Sequence, residues 1–128
     1  MLKTVFSPAG CNCVGNYSAC TIYNGFGFIS GQISTDPVSG RPVRGSIEEQ
    51  TRCALGSMKE IIVSIGSAME NVLMVNIYIS SMELFARMDR AYREFFPDGP
   101  PARVTVGVAD LNGVDIEISC VVAVPTSA

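Results

Sequence analysis

Only two stretches of this chain carry a helical period, and each follows a capping signal. Ser46-Ile47-Glu48-Glu49 is a capping box, in which the Ser hydroxyl and the Glu three residues on satisfy free amides. Ile47, Ala54, Met58, Ile61, Ile62 and Ile65 then recur at helical spacing. Gly66 stands where a C-terminal cap belongs. Ser80-Ser81-Met82-Glu83 is a second box, followed by an apolar stripe of Leu84, Met88, Ala91, Tyr92 and Phe95. Pro97-Asp98-Gly99-Pro100-Pro101 stops that helix, because proline cannot continue the hydrogen-bond ladder.

The other patterned stretches read as strands. Residues 4–6 form a short edge strand ended by Ser7-Pro8-Ala9-Gly10. Residues 18–23 and 26–33 flank Asn24-Gly25, a hairpin signal. Residues 36–45 are rich in turn formers and read as a loop. A strongly apolar strand covers 72–80, and two final strands cover 102–109 and 114–124, joined at Asp110-Leu111-Asn112-Gly113. The order is ββ(β)-α-β-α-ββ across a single domain, 1–128. This predicts an α+β fold: a single mixed β-sheet with two helices on one face. Two helices cover only one side of such a sheet. The last strand has apolar residues of both parities, Ile116, Ile118 and Val122 against Val121 and Ala123. Both faces therefore want burial, and an oligomer packed through its sheets is expected.

A chain of 128 residues is long enough for one core. No apolar run approaches the roughly 20 residues of a membrane span. The start, Met1-Leu2-Lys3-Thr4-Val5-Phe6, lacks a secretory apolar stretch, so a soluble, cytoplasmic protein is expected. Nine basic residues against twelve acidic ones, without a basic cluster, argue against a nucleic-acid partner. Cys11, Cys13, Cys20, Cys53 and Cys120 make an odd count, which favours reduced thiols. Their spacing lacks a second close pair, and the chain has no His, so they read as structural thiols and no metal site is expected. The missing His also removes Ser-His and Cys-His nucleophilic schemes.

Two charges stand out. Arg103 lies in Pro101-Ala102-Arg103-Val104-Thr105-Val106, and Glu117 in Val114-Asp115-Ile116-Glu117-Ile118. A half-buried strand rarely holds a charge without a partner or a task. Arginine offers a planar fork that grips a carboxylate. A partly buried Glu can orient water or move a proton. The pair suggests a site for a small carboxylate. Taken alone, Arg103 is equally well a structural interface arginine paired to a carboxylate, and Glu117 is more often a structural partner than a catalyst.

Gly15-Asn16-Tyr17, Phe28-Ile29-Ser30-Gly31-Gln32-Ile33, Pro101-Ala102-Arg103 and Ile116-Glu117-Ile118 together resemble the RidA/YjgF family of enamine/imine deaminases, which includes proteins called translation inhibitors or L-PSP endoribonucleases. The resemblance spans nearly the whole chain. It implies a chorismate-mutase-like fold and a homotrimer with three clefts between subunits. It implies hydrolysis of reactive 2-enamino or 2-imino acids, such as 2-aminoacrylate, to a 2-keto acid and ammonia, without a cofactor. By position, Arg103 would bind the substrate carboxylate and Glu117 would position water or shuttle a proton. Tyr17, Ser30, Gly31 and Thr105 would line the cleft.

Two residues depart from that family's pattern. Thr105 stands where Cys or Ser is common, and Asp89 where Asn is common. A carboxylate at 89 repels an anionic substrate unless it points away or pairs with Arg90 or Arg93. The turn between Arg103 and Glu117 is also about one residue short. A two-residue turn at Asn112-Gly113 would set Arg103 opposite Val122, with Glu117 about 17 Å away along the strand. The two would then come from different subunits, be re-aimed by bulges, or serve different sites. An endoribonuclease and a non-catalytic carboxylate-binding trimer are the competing readings; acidic charge and the lack of His disfavour the first.

Overall fold

The computed structural model describes residues 1–8 and 13–125. The strands are β1 (Thr4–Phe6), β2 (Cys20–Tyr23), β3 (Phe26–Gln32), β4 (Val72–Ile79), β5 (Ala102–Gly107) and β6 (Ile116–Ala123). The helices are α1 (Ile47–Ser64) and α2 (Phe85–Tyr92). The strands form one sheet in the order β1-β2-β3-β6-β4-β5. Only β4 and β5 run parallel. This is the mixed α+β sheet that the element order implies.

Local chemistry sets most of these elements. Asn24 and Gly25 both have positive φ, 51° and 82°, as a two-residue type I′ hairpin requires. Tyr23 and Phe26 pair across it. The Glu49 amide donates to Ser46 Oγ at 3.1 Å and starts α1. The helix closes at Gly66, φ 84°, as the Ser67 amide donates to the Ile62 carbonyl. Ala54, Leu55, Met58 and Ile62 of α1 and Met88 of α2 are fully buried. They join Ile77, Ile79, Ile116, Ile118 and Val122 of the sheet in one core cluster.

The second cap differs from the sequence reading. Ser81, not Ser80, accepts the Glu83 amide, at 3.2 Å, and it opens a 3-10 turn over Met82–Leu84 before α2. The Ser80 hydroxyl donates instead to Asp115 at 2.8 Å. Phe95 lies beyond α2 but still packs on the core.

The pairing of the last two strands is also corrected. β5 and β6 are not neighbours; β4 lies between them. Asn112 and Gly113 do turn the chain, with φ 56° and 91°. Yet that turn belongs to a crossing over residues 108–115 around the end of β4. The Val108 amide donates to the Ile79 carbonyl, and the Ser80 amide to the Asp115 carbonyl. Burial explains the choice. Ile116, Ile118, Cys120 and Val122 are all buried, so β6 belongs in the centre. β5 follows Pro100-Pro101 and exposes Ala102, Val104 and Val106, so it takes an edge.

A buried Gln50 pins the start of α1 to this crossing. Its Nε2 donates to the Gly45 carbonyl and to Asp115 Oδ2, both at 2.9 Å, while its Oε1 accepts the Asp115 amide at 2.8 Å. The Gln50 bond holds the Asp115 carboxyl below the usual carboxylate range, against its partial burial, with help from Ser80 and Arg44. Gln50→Ala strands these groups and should cost about 2–4 kcal/mol at pH 7 by chemical denaturation. The Asp115 share of that stability is present above its unfolded pKa of about 3.9 and is lost as pH falls through the lower folded value. The gap between wild type and Gln50→Ala should therefore narrow below about pH 4.

The face of the sheet away from the helices is bare. Phe26, Phe28, Val104 and Val106 are 40–48% exposed there, and Val5 and Tyr23 add to it. No described helix is long and apolar enough to cross a membrane.

Candidate functional site

Ile116 and Ile118 point into the core, so Glu117 between them projects from the opposite face. There it lies against β3. A Cβ on Gly31 would sit 2.5 Å from Glu117 Oε2 and 2.8 Å from its carboxyl carbon. The missing side chain at Gly31 is what lets the carboxylate rest over the backbone. The register of β3 on β6 shifts between Ile29 and Gln32, which marks an irregularity at this spot.

β2 ends its pairing at Cys20 and Ile29, so the last residues of β3 lie at an open edge. The preceding segment is tied to them: the Ser30 amide donates to the Ala19 carbonyl at 2.9 Å, and the Ser30 hydroxyl to the Ser18 carbonyl at 2.6 Å. These bonds bring Tyr17 alongside. An open cavity of about 790 Å³ results, lined by Tyr17, Ser30, Gly31 and Glu117 among others. Glu60 of α1 also faces it, and among the described residues no Lys or Arg does. Cys13 lines the cavity too, while Cys11 of the cysteine pattern and the Ala9-Gly10 stop lie outside the described residues.

Arg103 is elsewhere. It aligns with Val75 of β4, whose partner on β6 is Cys120, not with Val122. Glu117 aligns with Tyr78, three residues along and two strands across from the Arg103 row, or about 10 Å in each direction. The side chains also leave opposite faces. Arg103 turns to the helix side, with its guanidinium 4.7 Å from the Tyr92 ring centre and 5.4 Å from that of Phe85.

Asp89 shares that place. It accepts from Arg103 Nη1 at 2.7 Å and from Arg93 Nε at 3.2 Å. Of the two pairings open to it on sequence, Arg93 is found and Arg90 is not; the bond to Arg103 was not foreseen. Burial pushes the Asp89 carboxyl up, but the bonds and charges of Arg103 and Arg93 hold it below the usual range. Among the described residues, Arg103 Nε and Nη2 make no hydrogen bond. Thr105 lies on the same side of β5, and its Oγ1 is buried without a partner, as is the Tyr92 hydroxyl. Burial pushes the Tyr92 phenol up to about 12, against the nearby charge of Arg103.

The structure thus divides the residues singled out on sequence into two groups. Tyr17, Ser30, Gly31 and Glu117 meet in one cavity. Arg103, Asp89 and Thr105 gather at the far edge of the sheet, on its other side. Phe85, Tyr92 and Arg93 complete the second group. Sequence reasoning assigned Tyr92 to the helix stripe alone; its spacing from Asp89 was the signal that both face one strand.

The chain is a two-helix, mixed-sheet α+β domain with an acidic cavity against β3 and β6 and an arginine cluster at the β5 edge. Residues 9–124 match the family described as Endoribonuclease L-PSP, and the chain belongs to that family, also known as RidA/YjgF. It is 37% identical over 122 residues to a RutC family protein of Pyrococcus horikoshii, covering 94% of this chain and 97% of that one. The fold is similar to YyfA of Yersinia pestis, a protein of unknown function of the conserved Rid family (TM-score 0.88, 29% identity, 95% and 99% covered). It is also similar to Escherichia coli TdcF with bound serine (TM-score 0.81, 28% identity, 89% and 91% covered).

Proposed function

We propose that the chain hydrolyses 2-enamino and 2-imino acids to 2-keto acids and ammonia, in clefts between the subunits of a homotrimer. The observation that carries this reading is the Glu117 carboxylate laid over Gly31 in a cavity with Tyr17 and Ser30. A protonated imine carbon is already electrophilic. Glu117 takes a proton from water as the oxygen adds to that carbon. The same proton goes to the nitrogen; as the carbon–nitrogen bond then breaks, Glu117 takes the hydroxyl proton to leave the keto acid and passes it to the departing ammonia, which leaves as ammonium. Arg103 grips the carboxylate and fixes the carbon in place. No metal or cofactor enters this scheme.

Charge supports the interface. Among the described residues the cavity holds Glu117 and Glu60 with no cation, so by itself it does not attract an anion. Arg103 of the same copy lies on the other side of the sheet, with one edge of its guanidinium open. Docking the Arg103 edge of one copy onto the bare sheet face of the next supplies the missing cation and covers Phe28 and Val104. The small amino acid held by TdcF is of the size and charge this reading needs. We place the activity in the cytoplasm, where the thiols of Cys20, Cys53 and Cys120 stay reduced.

The test is keto-acid release from 2-aminoacrylate made in situ by a serine dehydratase. The protein should raise the rate at least about 100-fold over the spontaneous reaction, as expected of a positioned acid–base group. A rate equal to the spontaneous one, with carboxylate binding intact, would leave a ligand-binding trimer. Salt-sensitive RNA cleavage by the pure protein would instead favour the family's endoribonuclease description.

A further inference from the structure

Arg103 is partly occupied before any ligand arrives. Asp89 holds Nη1 alone, at 2.7 Å, which leaves the Nε–Nη2 edge for one side-on carboxylate. The local charges are Arg103, Arg93 and Asp89, two positive and one negative. Arg87 and Arg90, on the same helix, act on Glu48 of α1 instead. Tyr92 is neutral, its phenol pushed up to about 12. The cluster therefore carries one uncompensated positive charge and one free bidentate edge.

We infer that Asp89 is a specificity-determining residue, which restricts the Arg103 site to substrates with a single carboxylate and excludes dicarboxylates. This rests on the reading of Arg103 as the carboxylate grip. Both Asp89 and Arg103 are about one-fifth exposed, so water screens the cluster only in part. A first carboxylate neutralises the net charge and fills the free edge. A second finds no unpaired cation, because Arg93 is already bonded to Asp89, and it is repelled by the fixed carboxylate of Asp89 as well as by Glu117 of the neighbouring copy in the proposed cleft. This is discrimination by repulsion rather than by added contact. An Asn at this place would leave a net charge of two and lack that repulsion.

Binding of 2-oxobutanoate and 2-oxoglutarate, followed by ligand-observed NMR, tests this without turnover. Wild type should bind 2-oxobutanoate about tenfold more tightly or better. Asp89→Asn keeps the shape and an acceptor for Nη1, and should cut the ratio to about threefold or less, chiefly by tighter 2-oxoglutarate binding. Arg93→Gln, at an exposed position, should weaken 2-oxobutanoate about threefold or more and leave the dicarboxylate weak. Equal affinities in wild type, or an unchanged ratio in Asp89→Asn, overturn the inference while Arg103 stays the carboxylate site. Binding of neither keto acid to wild type overturns the role of Arg103 as well.

Discussion

Neither Arg103→Ala nor Glu117→Gln should turn over 2-aminoacrylate on its own, yet the two variants co-expressed should regain about a quarter of wild-type activity. One variant still offers Glu117, the other Arg103. In the proposed ring of three, each cleft would take its arginine from one copy and its glutamate from the next. Random assortment leaves both halves intact at about one cleft in four. A cleft built within one chain predicts no recovery, because every chain in the mixture is defective. Within one chain the two groups do not meet. Arg103 and Glu117 leave opposite faces of the sheet, three residues and two strands apart. Keto-acid release from purified mixed oligomers measures the outcome directly. Recovery near zero, from samples shown to contain both variants in one particle, would sink the shared cleft.

Gly31→Ala should behave almost like Glu117→Gln: kcat down about 100-fold, with the melting temperature within a few degrees of wild type. The new methyl would fall 2.5 Å from Glu117 Oε2, too close for the carboxylate to stay. The neighbour that gives way is the end of a flexible side chain, so the fold loses little. Its catalytic position is lost. The contrast is what matters: a large loss of rate beside a small loss of stability. A crystal structure should show Glu117 in another rotamer. A variant of full activity would mean that Glu117 does not act from over Gly31.

Much of this fold can be read from short-range signals. Asn24-Gly25, Ser46 with Glu49, and Gly66 each commit a few residues to one backbone geometry, and each is found as read. The error over the last two strands has a different origin. Asn112-Gly113 makes its turn, but a turn does not say which strands flank it in space. That was decided by burial: four fully inward residues drew β6 to the centre and left β5 at the edge. The cavity residues were legible in another way, through the resemblance to a known family. Tyr17, Ser30, Gly31 and Glu117 were named on sequence and share a cavity. The Asp89–Arg103 bond was not foreseen, because it joins a helix and a strand whose relative placement follows from β5 lying beside β4.

The placement of the two charges on opposite faces also bears on inheritance. If the clefts are shared as proposed, alleles that damage different faces would complement one another when both are expressed in one cell. An allele that damages both faces does the reverse. One such copy in the proposed ring of three would touch two clefts, so beside a wild-type allele it would leave about one intact cleft in four, below the half that a missing copy leaves. A duplicated gene faces the same arithmetic: each copy can lose one face and survive only with the other, which turns a ring of like subunits into an obligate pair of unlike ones.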